Sequence, residues 1–371
     1  MRIVLASFVA DDPDTGMGRW QHRIAAALRA MGHDTTIWFA EDFPAVGRTG
    51  RFAFLTYPPA VALRLVRRRG DFDAVVLHEP AGLWYGLARR VRPALPPLVA
   101  MCHNVEAKVH EVMRAAERRG LAARRPWTAI STRLLRLPQS RAAIRLADRV
   151  VCLSSEDERY IAEALRVAPA RITRLTNGLA AGEAGGGREP PSGRRVLFVG
   201  GWLDVKGRRL LPPLWRAVRC ALPDASLTLV GVHDAGAAVA AEFAPEDRAD
   251  LVCIPVVRDG AEMRRLFAEH DALIVPSLSE GSPLTVLEAM GAGLPVVAAA
   301  VGGIPDSAAD GSEALLFRPM DAADGAAKLI RLLGDPALAG RLSAAAVARV
   351  RGFTWEAAAR ALVRAIERTR A

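Results

Sequence analysis

Short apolar runs alternate along this chain with segments of helical period, and the alternation breaks off once and then restarts. Ile3 to Val9, Thr35 to Phe39, Ala74 to Leu77, Leu98 to Cys102 and Val150 to Leu153 read as strands, with a helix over Arg19 to Met31 between the first two. Runs without a polar face suit strands covered on both sides, and strands alternating with helices call for parallel pairing through helical crossovers. Glu106 to Asp148 read as long Arg-rich helices. Between Ala180 and Arg195 stands AAGEAGGGREPPSGR, whose Gly and Pro content cannot build a core. The pattern resumes with Val196 to Gly200, Ser226 to Val230, Leu251 to Pro255, Ala272 to Val275 and Val296 to Ala300. The expectation is therefore an α/β chain with two open parallel-sheet domains over residues 1–180 and 196–352, joined by a linker at 181–195. An amphipathic helix over 353–371, with Thr354 as its N-cap, is expected to pack back toward the first domain. Ligands of such sheets bind outside the carboxyl ends of the strands, which here are expected to face a central cleft.

The chain has 371 residues, 51% of them hydrophobic and 24% charged, enough for two cores and too apolar for wholesale disorder. No run approaches the ~18 apolar residues of a spanning helix; Leu294 to Ile304 is short and carries Pro295. Met1-Arg2 and the apolar run after it lead into Asp11, Asp12 and Asp14 instead of a small-residue cleavage site, so this start reads as a first strand and not a signal peptide. Cys102, Cys152, Cys220 and Cys253 lie far apart with no Cys-x-x-Cys, which points away from zinc and disulfides and toward a reduced, cytoplasmic setting.

The net charge of +10 is localised. Residues 51–150 hold 19 Lys+Arg against 7 Asp+Glu, a balance of +12, and the rest of the chain sums to −2. Such a region attracts phosphorylated substrates or an anionic bilayer, and the Arg-rich helices between Arg114 and Arg145 are the expected membrane contact. Nucleic acid is not the expected partner, because aromatic side chains do not interleave with the arginines as base stacking requires.

The most informative string is Pro276-Ser277-Leu278-Ser279-Glu280-Gly281-Ser282-Pro283-Leu284-Thr285-Val286-Leu287-Glu288, continuing to Val297. It reads as strand, loop, helix, strand. Ser282 suits an N-cap and Pro283 the first helical position, so the amides of Leu284 and Thr285 point out of a positive helix end, a site for phosphate. Glu288 follows one turn later, within reach of a ribose attached to a diphosphate there, and Glu280 stands on the other side. Gly16 and Gly18, after the first strand and before a helix, allow close backbone approach to phosphate or sugar oxygens. Lys206-Gly207 follows the first strand of the second half. His103 ends an apolar strand whose tip opens on the expected cleft, and His78 and Glu79 are weaker candidates of the same kind.

With its two glutamates eight positions apart, this string resembles the retaining GT-B glycosyltransferases, the large bacterial family of group 1, family 4-like sugar transferases. Further matches in family order are Thr15-Gly16-Met17-Gly18, Gly32-His33-Asp34, Asp148 to Ser154, Asn177-Gly178, Gly200 to Gly207 and Phe353-Thr354-Trp355. The resemblance implies two Rossmann-like domains, the second holding a nucleotide-diphosphate-sugar donor and the first supplying most of the acceptor site. It implies that Glu288 binds ribose hydroxyls, that Leu284, Thr285 and Lys206 bind the diphosphate, that Glu280 binds the donor sugar as a catalytic-site residue of the second domain, and that His103 lies against that sugar as the catalytic-site residue of the first. It implies no obligatory metal and no cofactor beyond the donor, with retention of anomeric configuration. The family's arginine just after the strand is replaced here by Gly201-Trp202. The expected role is transfer of a sugar to a glycan or lipid-linked acceptor of the cell envelope or an exopolysaccharide, at the inner face of the plasma membrane. The alternative is a non-catalytic sugar-nucleotide-binding or scaffolding subunit.

Overall fold

The computed structural model describes residues 1–47, 53–123, 126–180, 182, 193–232 and 236–369. Most of the expected linker, residues 181 and 183–192, lies outside them. The chain forms two compact units, one of Met1–His110, Arg124–Gly178 and Trp355–Ala371, the other of Glu111–Ala123 and Leu179–Thr354.

Unit 1 is built on six parallel strands: β1 (Arg2–Ala6), β2 (Asp34–Trp38), β3 (Ala74–His78), β4 (Leu98–Cys102), β5 (Arg149–Cys152) and β6 (Ile172–Arg174), in spatial order β2-β1-β3-β4-β5-β6. Val4 pairs with Thr36 on one side and with Val75 on the other. Every residue of β3 and β4 is buried, the physical counterpart of a sequence that is apolar throughout except for His78 at the end of β3. Right-handed crossovers place the helices that follow β2, β3 and β4 on one face of the sheet. These are α2 (Ala53–Arg67), α3 (Gly82–Val91) and, after α4 (Glu106–Arg118), α5 (Leu137–Leu146). Helix α2 packs on α3, and α3 on α5. Helix α1 (Gly16–Ala30), capped by the Thr15 hydroxyl accepting from the Gly18 amide, packs instead on the C-terminal helix.

Helix α2 departs from what period alone shows, since it carries Pro58 and Pro59 internally. Tyr57, Val61 and Leu65, spaced by four, are buried and join the core with Trp38, Leu77 and Tyr85, and that packing holds the helix despite the lost amides.

Unit 2 repeats the plan with β7 (Arg195–Val199), β8 (Ser226–Val230), β9 (Leu251–Ile254), β10 (Ala272–Val275), β11 (Val296–Ala299) and β12 (Leu315–Phe317), all parallel in the order β12-β11-β10-β7-β8-β9. Strands β6 and β12, three residues each, are too short to show a period in sequence. The helix after β7 runs Leu211–Ala221 and takes Pro212 and Pro213 in its first turn, where their missing amides cost nothing. Among the described residues no helix is long and apolar enough to cross a membrane.

Candidate active site

In unit 2 the chain runs outward from β7 to β8 and β9 on one side, then returns to the other side of β7 for β10, β11 and β12. The strand order therefore reverses between β7 and β10, and the crevice outside the carboxyl ends of those two strands is where open α/β sheets bind ligands. The loops leaving these strands carry the singled-out residues. Lys206 sits on a helical turn, Asp204–Lys206, after β7; Glu280 sits in the loop after β10. The loops are tied together by the Leu278 amide donating to the Val205 carbonyl at 2.8 Å.

Lys206 Nζ donates to Glu280 Oε1 at 2.7 Å, and the Ser277 hydroxyl donates to the same oxygen at 2.7 Å. Glu280 is buried and Lys206 half-buried. The loop bearing Glu280 is fixed from behind by Gly302, where φ is +57° and a Cβ would stand 1.7 Å from the Glu280 carbonyl oxygen. Only a residue without a side chain lets the two strands of backbone approach this closely. The Gly303 amide donates to the Gly281 carbonyl at 2.7 Å, closing the same contact.

The following helix, α6 (Leu284–Gly291), starts one residue later than expected. Pro283, with ψ of 116°, occupies the N-cap position, so Ser282 lies before the helix and does not cap it. Pro283 itself offers no side-chain cap to this end. Val286 and Leu287 direct their amides to the Pro283 carbonyl. The amides of Leu284 and Thr285 are left, among the described residues, for an external acceptor. An anion there gains both the amides and the helix dipole. Glu288 shares a face with Leu284 at i, i+4 and is partly exposed. The structure thus gathers Lys206, Glu280, Leu284, Thr285 and Glu288 within one unit at its switch point.

Trp202, in place of the family's arginine, donates its indole N–H to Glu242 at 3.1 Å and stacks on Phe243. Arg208 pairs with Glu242 at 2.7 Å and Arg209 with Asp204 at 3.2 Å. The arginines after Lys206 are therefore already committed to carboxylates.

In unit 1, His103 follows β4 and His78 ends the neighbouring β3, and their rings stack with centroids 5.6 Å apart. Trp20 meets His103 edge-on at 4.8 Å, and Phe8 meets His78 at 5.3 Å. Burial pushes the His103 imidazolium down to about 4 and that of His78 well below its ordinary value, so both rings are neutral near pH 7. A small cavity is lined by Trp20, Gln21, His78 and His103. Ser7 Oγ, Trp20 Nε1, Gln21 Oε1 and His78 Nδ1 are buried without a hydrogen-bond partner among the described residues. Such groups each cost about 1–3 kcal/mol when unmet.

Glu79 is fully buried beside this pair. Its Oε1 accepts from the Glu106 amide at 2.9 Å and from the Ser140 hydroxyl, joining β3 to the starts of α4 and α5. Burial first, then the nearby Glu106 carboxylate, raises its pKa. Arg136 in turn chelates Glu106. The sequence offered only the position of Glu79 at a strand tip; Ser140 and Arg136 carried no signal, because they arrive from a helix some sixty residues on. At α1 the two glycines differ in their surroundings. The Gly18 amide is already used by the Thr15 cap, and a Cβ there would stand 2.0 Å from the Asp12 carbonyl oxygen, so Gly18 is required by the turn itself. Gly16, the first helical residue, has open space around it.

Two family models meet on this chain: Glycosyltransferase Family 4 over residues 15–183 and Glycosyl transferases group 1 over residues 193–335. The chain belongs to the group 1, family 4-like glycosyltransferases. It is similar to the D-inositol 3-phosphate glycosyltransferase of Frankia alni, 44% identical over 115 residues, which cover 31% of this chain and 28% of that protein. The chain spans from 24% to 54% of the length of the curated relatives it matches. In fold it is similar to the sucrose-phosphate synthase of Thermosynechococcus elongatus, with a TM-score of 0.79 and 20% identity, covering 99% of this chain and 98% of that one. It is also similar to Anabaena HepE, solved with UDP and glucose, with a TM-score of 0.70 and 16% identity, covering 99% of each chain. The architecture of this family member is thus the GT-B fold: two α/β units, each with an open parallel sheet of Rossmann type.

Proposed function

We propose that this glycosyltransferase-family chain transfers a sugar from a nucleotide-diphosphate donor to a glycan or lipid-linked acceptor in cell-envelope or exopolysaccharide synthesis, with retention of anomeric configuration. The observation that carries the reading is the cluster at the switch point of unit 2, where Lys206 and the amides of Leu284 and Thr285 offer positive charge beside the Glu280 and Glu288 carboxylates. As the bond to the sugar breaks, negative charge grows on the diphosphate, and fixed cations and amides favour that state over the ground state. In this reading the incoming diphosphate takes over Lys206 from Glu280, Glu280 turns to the sugar hydroxyls, and Glu288 holds the ribose. His103, neutral, exchanges hydrogen bonds with sugar hydroxyls without adding charge. The charge is supplied by protein groups, so the reaction is proposed to need neither a metal nor a cofactor besides the donor. The bound UDP in HepE and the inositol phosphate in the relatives' name favour a uridine nucleotide and a polyol-type acceptor as the first compounds to try. A lipid-linked acceptor would place the chain at the inner face of the plasma membrane.

A thermal-shift panel of nucleoside diphosphates and their sugar conjugates tests the donor site, followed by donor hydrolysis and transfer assays on the wild type, Lys206→Ala and Glu288→Ala. Stabilisation by one nucleotide and turnover lost in both variants is the expected result; no stabilisation by any of them removes the donor reading. A second reading, a sugar-nucleotide-binding subunit without turnover, is favoured by Trp202 standing in the arginine's place and by the engagement of Arg208 and Arg209. Nucleotide binding with no hydrolysis and no transfer would select it.

A further inference from the structure

We infer that the outer face of the α2–α3–α5 layer of unit 1 is a docking surface for an anionic lipid bilayer. The inference deepens the membrane-side part of the proposed function and rests on it for its biological sense, though not for its geometry.

On α3, Trp84, Leu87 and Val91 recur at i, i+3 and i+7, so they form one stripe along the helix. They are 48%, 43% and 81% exposed, an unusual condition for three large apolar side chains in a row on a helix. The opposite side of α3 is accounted for: Gly82, Tyr85 and Gly86 are buried against the neighbouring elements. On one side lies α2, with Leu63 and Arg67 exposed at i, i+4. On the other lies α5, whose exposed residues Pro138, Arg141 and Arg145 form a stripe that the preceding turn extends backward to Leu134. Arg90 and Arg92, both exposed, close the far end of α3.

The charge is as one-sided as the hydropathy. Across α2, α3 and α5 there is no aspartate or glutamate at all. The carboxylates next to the layer are engaged: Asp71 with Arg68, and Asp148 with Arg89. An apolar ridge with an indole at one end and arginines on both flanks matches the two layers a bilayer surface presents, an acyl boundary for Leu and Trp and a sheet of phosphates for Arg. A protein partner would need shaped pockets and pairs of both signs; a face with one sign of charge and no acid selects a uniformly negative plane. The inferred face coincides only in part with the expected stretch from Arg114 to Arg145. Helix α4, which opens that stretch, carries Glu106, Glu111 and Glu117, so its charge is mixed, whereas the acid-free face combines α5 with α2 and α3.

The test is sedimentation of the full chain with phosphatidylcholine vesicles, with and without phosphatidylglycerol, at low and high salt. Binding is expected only to the anionic vesicles and only at low salt. It should fall by about fivefold for each arginine removed in Arg90→Gln and Arg141→Gln, and by tenfold or more in the double variant Trp84→Ser with Leu87→Ser. All these side chains are on the surface, so melting temperature and circular dichroism are expected to be unchanged. Absence of binding, or binding that every variant retains, would overturn the inference. A dimer seen by light scattering and abolished by the Trp84/Leu87 variant would overturn it too, by assigning the ridge to a second copy of the chain. Nucleotide stabilisation, read in parallel on the same samples, reports separately on the donor site, so either proposal can fail without the other.

Discussion

Glu280 is held from two sides before any ligand arrives, by Lys206 and by Ser277, and its backbone is pressed against Gly302. Gly302→Ala forces a Cβ into the Glu280 carbonyl at a left-handed φ. It is expected to cost about 2 kcal/mol or more in urea unfolding and to weaken nucleotide binding together with stability; a variant as stable as the wild type would show that the loop can yield. Glu79 permits a pH prediction. Its raised pKa means that the unfolded chain loses this proton at a lower pH than the folded protein does, so the stability attached to it is complete below the ordinary glutamate range. That stability drains away as pH rises through the folded value. Glu79→Gln removes the effect. Melts of the two proteins from mildly acidic to mildly alkaline pH should diverge, the wild type falling further relative to the variant as pH rises; parallel curves would contradict a buried, proton-holding carboxyl. Glu280 and Glu288 stand out in the sequence because they share one contiguous string. The partners of Glu79 were not, since Ser140 and Glu106 reach it only through the packing of three elements.

At the scale of elements, two local signals had different fates. Ser282-Pro283 marked a helix start, and the helix does begin there, but proline's fixed φ with an extended ψ makes Pro283 the cap position, and proline has no side-chain acceptor to offer that end. In the proposed function it is the amides of Leu284 and Thr285 at this end that would receive the donor's phosphate. The C-terminal helix, α7 (Trp355–Glu367), shows the reverse case, in which amphipathic period was legible and its destination was not. Its Ala358, Leu362 and Ile366 are buried, and it packs on α1 and against β5 and β6. Leu362→Ala is expected to destabilise unit 1 by about 2–5 kcal/mol through the cavity it leaves, read as a lower denaturant midpoint at unchanged slope. A loss under 1 kcal/mol would mean that this helix contributes little to holding α1 in place.

For the molecule as a whole, nucleotide binding to unit 2 should raise its unfolding free energy by about 2.7 kcal/mol at a hundredfold excess over the dissociation constant. Calorimetry with and without the nucleotide identified by screening should show this, and Lys206→Ala should abolish the shift; a shift equal in both proteins would place the nucleotide elsewhere. The sequence by itself determined the class of fold, the count of two sheets and the string on which the proposed donor site rests. Buried parallel strands must be apolar throughout, and a phosphate cradle, its preceding strand and its glutamates are contiguous in the chain, so both leave a one-dimensional trace. Only the tertiary structure decided that Lys206 meets Glu280, that His78 stacks on His103, and that an apolar stripe on α3 lies between the arginines of α2 and α5. Those groupings join residues from separate strands and helices, and their proximity is created by the order in which strands pair, which no local pattern records.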